Sequence, residues 1–155
     1  MLLITIIFMI MLVVYIGITI FYIHHKIINL RSYAEKAYAN IDVLLLKRAE
    51  LVPQLLVLDQ RESAQMKELM NALLIQQSIN SKVEVHNKMH DLLKNCAVIN
   101  NGHQQLMHLN AGIAHRVTIY NESVLLYNSC FKAFPYSYFM KILNLLPMAA
   151  LREFS

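Results

Sequence analysis

Residues 1–23 contain no Asp, Glu, Lys or Arg, so every formal charge of the chain, 14 basic and 10 acidic, lies in the remaining 132 residues. Glycine and proline are scarce too, with three of each. So few of these residues argue against both an all-β fold with many turns and a disordered chain. Two cysteines, Cys96 and Cys130, show no framework spacing. There is no Gly-rich phosphate loop, strand alternation or internal repeat. Ser63, Ser123 and the two cysteines sit in no nucleophile–base context, and at 155 residues a multidomain enzyme is excluded.

What is present is one hydrophobic segment and one small domain. In residues 1–23 only Thr5, Gly17 and Thr19 fall outside the apolar-plus-tyrosine set. As a helix the segment would be about 34 Å long, enough for a hydrocarbon core about 30 Å thick. Tyr22 and His24-His25 fall where an interfacial belt belongs. A cleaved signal peptide would need a basic start and small residues at its cleavage site, but the first basic residue is Lys26 and the first alanine Ala34. The expectation is a single-pass signal anchor in the cell membrane. Lys26, Arg31 and Lys36 follow it, so the positive-inside rule puts residues 24–155 in the cytoplasm, with reduced thiols.

Beyond the span the apolar spacing stays helical. Leu30, Ala34, Ala37, Ile41, Leu44, Arg48, Leu51 and Leu55 step by threes and fours, so the span is expected to run on into a first amphipathic helix kinked at Pro53. Asp59–Ser63 reads as a turn and residues 64–77 as a second helix. A third is expected from a cap at Asn80 or Ser81 to about Val98, and Asn100-Asn101-Gly102 stops it. Leu106, Leu109, Ile113, Val117, Tyr120, Val124, Tyr127, Phe131 and Phe134 mark the fourth, ended by Pro135. The fold class expected is all-α: a transmembrane helix (1–23) continuing into an antiparallel, up-down four-helix bundle (24–135), then an apolar tail (136–155).

Two stretches are more specific than their periodicity. One is Ala39-Asn40-Ile41-Asp42-Val43, continuing to Lys47-Arg48-Ala49-Glu50-Leu51-Val52-Pro53-Gln54-Leu55. The other is Tyr120-Asn121-x-x-Val124-x-x-Tyr127-Asn128 with Phe134-Pro135 after it. Following an N-terminal membrane helix, these resemble the LemA family of bacterial membrane proteins. The resemblance runs from the span to Pro135 and takes in the Leu151-Arg152-Glu153-Phe154 end, with residues 63–106 alike in pattern only. It implies a membrane-anchored helical bundle of the bacterial cell envelope with no established molecular function. The chain departs from the family pattern at Leu44 and Leu46, which would widen the apolar face of the first helix for a partner. It departs again at Asn110, where an acidic residue is expected.

Several residues invite sharper readings. Arg48 on the apolar seam would either snorkel its head to water or meet a partner on the fourth helix; counting equal distances from the membrane points to Asn110. Tyr120, Asn121, Tyr127 and Asn128 recur at a spacing of seven and read as a buried structural layer that fixes helix register, with a ligand site as the alternative. His86 and His90, four apart, have a spacing that can bind metal, but no carboxylate constellation accompanies them. Surface histidines are the plainer reading.

No cofactor is expected. The basic residues are interleaved with acids on all helices, which argues against nucleic acid, and no small-molecule substrate is evident. The partners expected are the lipid bilayer and a protein of unknown identity, for a non-catalytic scaffold or interaction protein. A metal-binding or sensing bundle is the alternative. The apolar stretch Tyr136–Leu146 would lie in the membrane interface beside Phe134-Pro135, or else fold back on the bundle as extra core.

Overall fold

The computed structural model describes residues 1–55, 59–93 and 103–152. Among these the chain is all-helical: α1 (Leu2–Leu55), α2 (Gln60–Ile75), α3 (Ile79–Leu93), α4 (His103–Ser129) and α5 (Tyr136–Ile142). Cys96, Val98, Asn100-Asn101-Gly102 and Glu153-Phe154 lie outside the described residues.

α1 is the spine. Its 54 residues, about 80 Å of helix, carry two kinds of surface in series. The first part is apolar all round, with a mean hydropathy of 2.8 over its best window and nothing packed on it. One helix is thus long and apolar enough to cross a membrane. Burial begins at Ile23 and continues through Ile27, Ala34, Tyr38, Ile41, Leu45, Arg48 and Ala49. The seam expected from spacing is there, but it is centred one residue further on, since Tyr38 and Leu45 are buried while Ala37 and Leu44 are half-buried. Leu46 packs among α2 and α3 residues, so Leu44 and Leu46 serve the chain's own core. Pro53 lies in the last turn of α1.

Three buried clusters follow α1 upward. Nearest the apolar segment, Ile23 and Ile27 meet Tyr127, Cys130 and Met140. In the middle, Ala34, Tyr38, Ile41 and Leu45 meet Ile113, Val117, Tyr120 and Val124 of α4, with Val83 of α3 and Leu151 of the tail. Furthest out, Ala49 joins Met66 and Leu73 of α2 and Val85, Met89 and Leu93 of α3. Partners fall along α1 as they rise along α4: the Arg116 guanidinium donates to the Asn40 carbonyl at 3.2 Å, and the rings of Tyr120 and Tyr38 lie 5.6 Å apart.

Three boundaries differ from expectation. The polar run at Asp59 is a helix cap, not a turn: the Asp59 N–H donates to the Glu62 carboxylate at 3.0 Å, so α2 starts at Gln60. α3 begins at Ile79, and Asn80 is spent elsewhere. α4 stops at Ser129, six residues before Pro135. There Cys130, Phe131 and Lys132 donate to carbonyls three residues back, tightening the chain into turns. Phe134, expected on the seam, is 89% exposed.

Val124 is 3% exposed among Tyr120, Tyr38 and Leu45. Val124→Asp should cost several kcal/mol, on the order of the whole stability, by burying an unpaired carboxylate. Loss of the cooperative melt of the full chain in detergent, followed by circular dichroism, is the expected result; an unchanged melt refutes this core.

Candidate functional site

The tail after α5 carries a dense polar constellation. Asn144, at φ 52°, takes the left-handed conformation that asparagine tolerates, and the Leu145 N–H closes α5 onto the Met140 carbonyl at 3.0 Å. The chain then runs extended between α3 and α4. An extended segment has no internal hydrogen bonds, so side chains must satisfy its main chain.

Four asparagines do this, each with both ends of its amide. Asn128 donates to the Met148 carbonyl at 2.8 Å and accepts the Met148 N–H at 2.9 Å. Asn121 repeats this on Leu151, at 2.9 Å for both bonds. From α3, Asn80 donates to the Pro147 carbonyl at 3.0 Å and accepts the Ala149 N–H at 2.9 Å. Asn87 takes the Ala150 carbonyl at 3.1 Å and the Arg152 N–H at 2.7 Å. Tyr127 and Tyr120 donate their hydroxyls to the carbonyls of Leu146 at 3.1 Å and Ala149 at 2.7 Å. Every carbonyl from Leu146 to Leu151 thus has a donor.

The geometry follows from two repeats. Seven helical residues rise about 10.5 Å, and three extended residues cover about 9–10 Å. Asparagines seven apart therefore meet tail residues three apart: Met148 and Leu151 from α4, and the same step from α3. Three is the repeat of a polyproline-II chain rather than of the two-residue β pleat. It turns Met148 and Leu151 to the same side, where Leu151 is 4% exposed in the middle cluster and Met148 packs against the two lower ones. Burial raises the pKa values of the Tyr120 and Tyr127 hydroxyls, keeping both protonated as donors.

Tyr120, Asn121, Tyr127 and Asn128 therefore hold the chain's own tail. Residues 145–152 fold back on the helices. Asn80 and Asn87 were missed by sequence reasoning, although a second asparagine pair spaced by seven was the available signal.

A second polar group joins α1 to α3. Asp42, beside fully buried Ile41, accepts the Tyr38 hydroxyl at 3.2 Å and pairs with Lys82 at 3.1 Å. His86 Nε2 stands 3.7 Å from the same carboxylate, beyond hydrogen-bond length. His86 is 4% exposed, so it is a core histidine rather than a surface one. Burial pushes its pKa down to about 4, against the opposing pull of Asp42. His90 is half-buried, and among the described residues no group of three His, Cys, Asp or Glu side chains could hold a metal ion. Arg48 is 8% exposed, and burial lowers its pKa to about 10, so it keeps its charge without snorkelling into water. The Tyr38–Tyr120 register brings residue 48 level with residue 110, and Asn110 is half-buried. Pro135 lies in the turn that leads into α5.

Comparison with protein-family profiles, curated proteins and solved structures returns no match.

Two predictions follow from these groups. Asn121→Leu keeps the volume but strands the N–H and C=O of Leu151, at about 1–3 kcal/mol for each buried group. It should lower stability in a denaturant melt and accelerate hydrogen exchange first at Leu151, whereas Asn87→Leu, whose bonds are exposed, should cost less than about 1 kcal/mol. Equal losses would refute the graded clasp.

His86 binds a proton more readily unfolded, near 6.5, than folded, near 4, so its contribution is present above pH 6.5 and is lost as pH falls toward 4. The wild type should lose up to roughly 3 kcal/mol over that window relative to His86→Leu. Parallel stability–pH curves would show that His86 is not buried neutral.

Proposed function

We propose that the chain is a membrane-anchored, non-catalytic scaffold or interaction protein of the bacterial cell envelope. In this reading α1 crosses the bilayer once, the body is an antiparallel helical bundle on the cytoplasmic side, and the protein partner is unidentified. The observation that carries it is the continuity of α1: an uncovered apolar segment of membrane-spanning length passes into the core of the body without a linker. Such a helix holds a folded body at a set height above a membrane. The resemblance of the two motifs to the LemA family supports the same reading. The residues of those motifs are occupied in structure: Asp42 ties α1 to α3, and the Tyr-Asn pairs hold the tail.

The reading is tested in native membranes. The full chain should resist carbonate extraction, and a reporter fused after Ser155 should be active in the cytoplasm. Photo-cross-linkers at Val43 and Leu125, exposed at 69% and 70% on the body, should give discrete protein adducts. Extraction by carbonate overturns the anchor, reporter activity on the far side overturns the orientation, and adducts to lipid alone overturn the interaction role.

A further inference from the structure

The turn after α4 and the short α5 have two faces. Inward, Tyr136, Phe139 and Met140 pack in the cluster of Ile23, Ile27 and Tyr127, with Met140 fully buried. Outward, Phe134, Tyr138 and Ile142 are exposed at 89%, 63% and 61%. Tyr138 and Ile142, four apart, share one side of α5, and Phe134 lies in the turn just before it. Three large apolar groups in water on one short element are a liability unless something covers them.

Their height along α1 identifies what covers them. Residues 2–22 make about 32 Å of helix, close to the hydrocarbon thickness of about 30 Å. The α1 residues that α5 touches, Ile23 to Ile27, lie within about 8 Å of the end of that segment. The headgroup layer on each side is about 5–8 Å deep. α5 is therefore at headgroup height. The charge agrees: no acidic residue occurs before Glu35 or between Glu122 and Glu153. Glu35 is itself paired with Arg31 at 2.8 Å, leaving Lys26, Lys132 and Lys141 as the ionic groups of this end. Lys26 donates to the Tyr136 hydroxyl at 3.2 Å, which joins α1 to α5 at that height.

We propose that the α4–α5 turn and α5 form a lipid-binding collar. Phe134, Tyr138 and Ile142 enter the headgroup–acyl boundary of the leaflet from which α1 emerges, and Lys132 and Lys141 face anionic headgroups. The collar rests on the reading of α1 as a membrane span. It replaces an interfacial tail with one outward face, because the rest of the tail is held by the asparagine clasp.

The chain has no tryptophan, so single substitutions report depth cleanly. Full-length Phe134→Trp, Tyr138→Trp, Phe21→Trp and Leu74→Trp proteins are reconstituted in mixed phosphatidylcholine–phosphatidylglycerol vesicles carrying lipids brominated at shallow or deep acyl positions. Phe21 reports on the span, and Leu74, 80% exposed near the C-terminal end of α2, on a body position outside the turn and α5. The collar predicts blue-shifted emission and shallow-bromine quenching at positions 134 and 138, deep quenching at 21, and none at 74. Quenching at 21 with 134 and 138 behaving like 74 overturns the collar and leaves the anchor standing. No quenching at 21 overturns the anchor and the collar with it. Adding Lys132→Gln and Lys141→Gln to Tyr138→Trp should weaken quenching in the mixed vesicles and leave it unchanged in pure phosphatidylcholine. Equal quenching with and without the lysines overturns the anionic preference.

Discussion

A main chain that leaves a helix and enters a protein interior must find a partner for each N–H and C=O, and the body of this protein is arranged around that requirement for residues 146–152. Helices α3 and α4 stand far enough apart to admit one extended strand, and each lends two asparagines to it. The amide side chain suits the task because it carries a donor and an acceptor and can bridge main-chain groups as a neighbouring strand would. The match between two helical turns and three extended residues lets one asparagine pair on each helix, with the Tyr120 and Tyr127 hydroxyls, serve the carbonyls of the segment. With its carbonyls from Leu146 to Leu151 satisfied, the tail delivers Leu151 to the core between α1, α3 and α4. That position would be a void if the tail were elsewhere, so the contact between the helices depends on the clasp.

The readable and unreadable parts of the fold separate along the same line. Helices whose apolar residues recur by threes and fours were legible: the seam of α4 from Ile113 to Tyr127 is buried as spaced, and the buried stripe of α1 is displaced by one residue because Tyr38 reaches Tyr120 and Asp42. Boundaries were less legible, because the same polar residues mark turns and caps; Asp59 and Glu62 form a cap that spacing cannot distinguish from a loop. Asn80 read as a cap, and Asn87 drew no reading. Their role is non-local, set by a segment more than sixty residues away. Tyr120, Asn121, Tyr127 and Asn128 were recognisable as a structural layer from their spacing of seven, but what they hold was not. The tail's composition pointed to lipid, and its tertiary role depends on groups contributed by two other helices.

The buried charges have a comparable logic. Asp42 is one-fifth exposed and gathers the Tyr38 hydroxyl and the Lys82 ammonium, so α3 meets α1 at a defined height. A salt bridge of this exposure adds little net stability, because desolvation offsets much of the attraction. Its effect is on register, since sliding α3 by one turn would separate Lys82 from Asp42 and carry Asn80 and Asn87 out of reach of the tail. His86 is held neutral under the same carboxylate by its burial. Electrostatics at this point and main-chain hydrogen bonding in the clasp therefore select the same placement of α3.

These constraints act in series from the apolar segment outward. α1 passes without a break from the uncovered segment to Ile23 and Ile27, and α5 packs there through Met140. The left-handed Asn144 turns the chain away from α5, and the clasp takes it up two residues later. A body joined to its apolar helix by one flexible residue would be free to tilt. Here α1 and α5 meet at one level, and the chain that leaves α5 is fixed by hydrogen bonds to α3 and α4 over the next seven residues. Tilting the body relative to the apolar helix would have to open the lowest cluster and pull Leu146 from Tyr127 together. The resistance of the joint comes from coupling two modest interactions through a short stretch of main chain held by side-chain hydrogen bonds, rather than from any single strong contact.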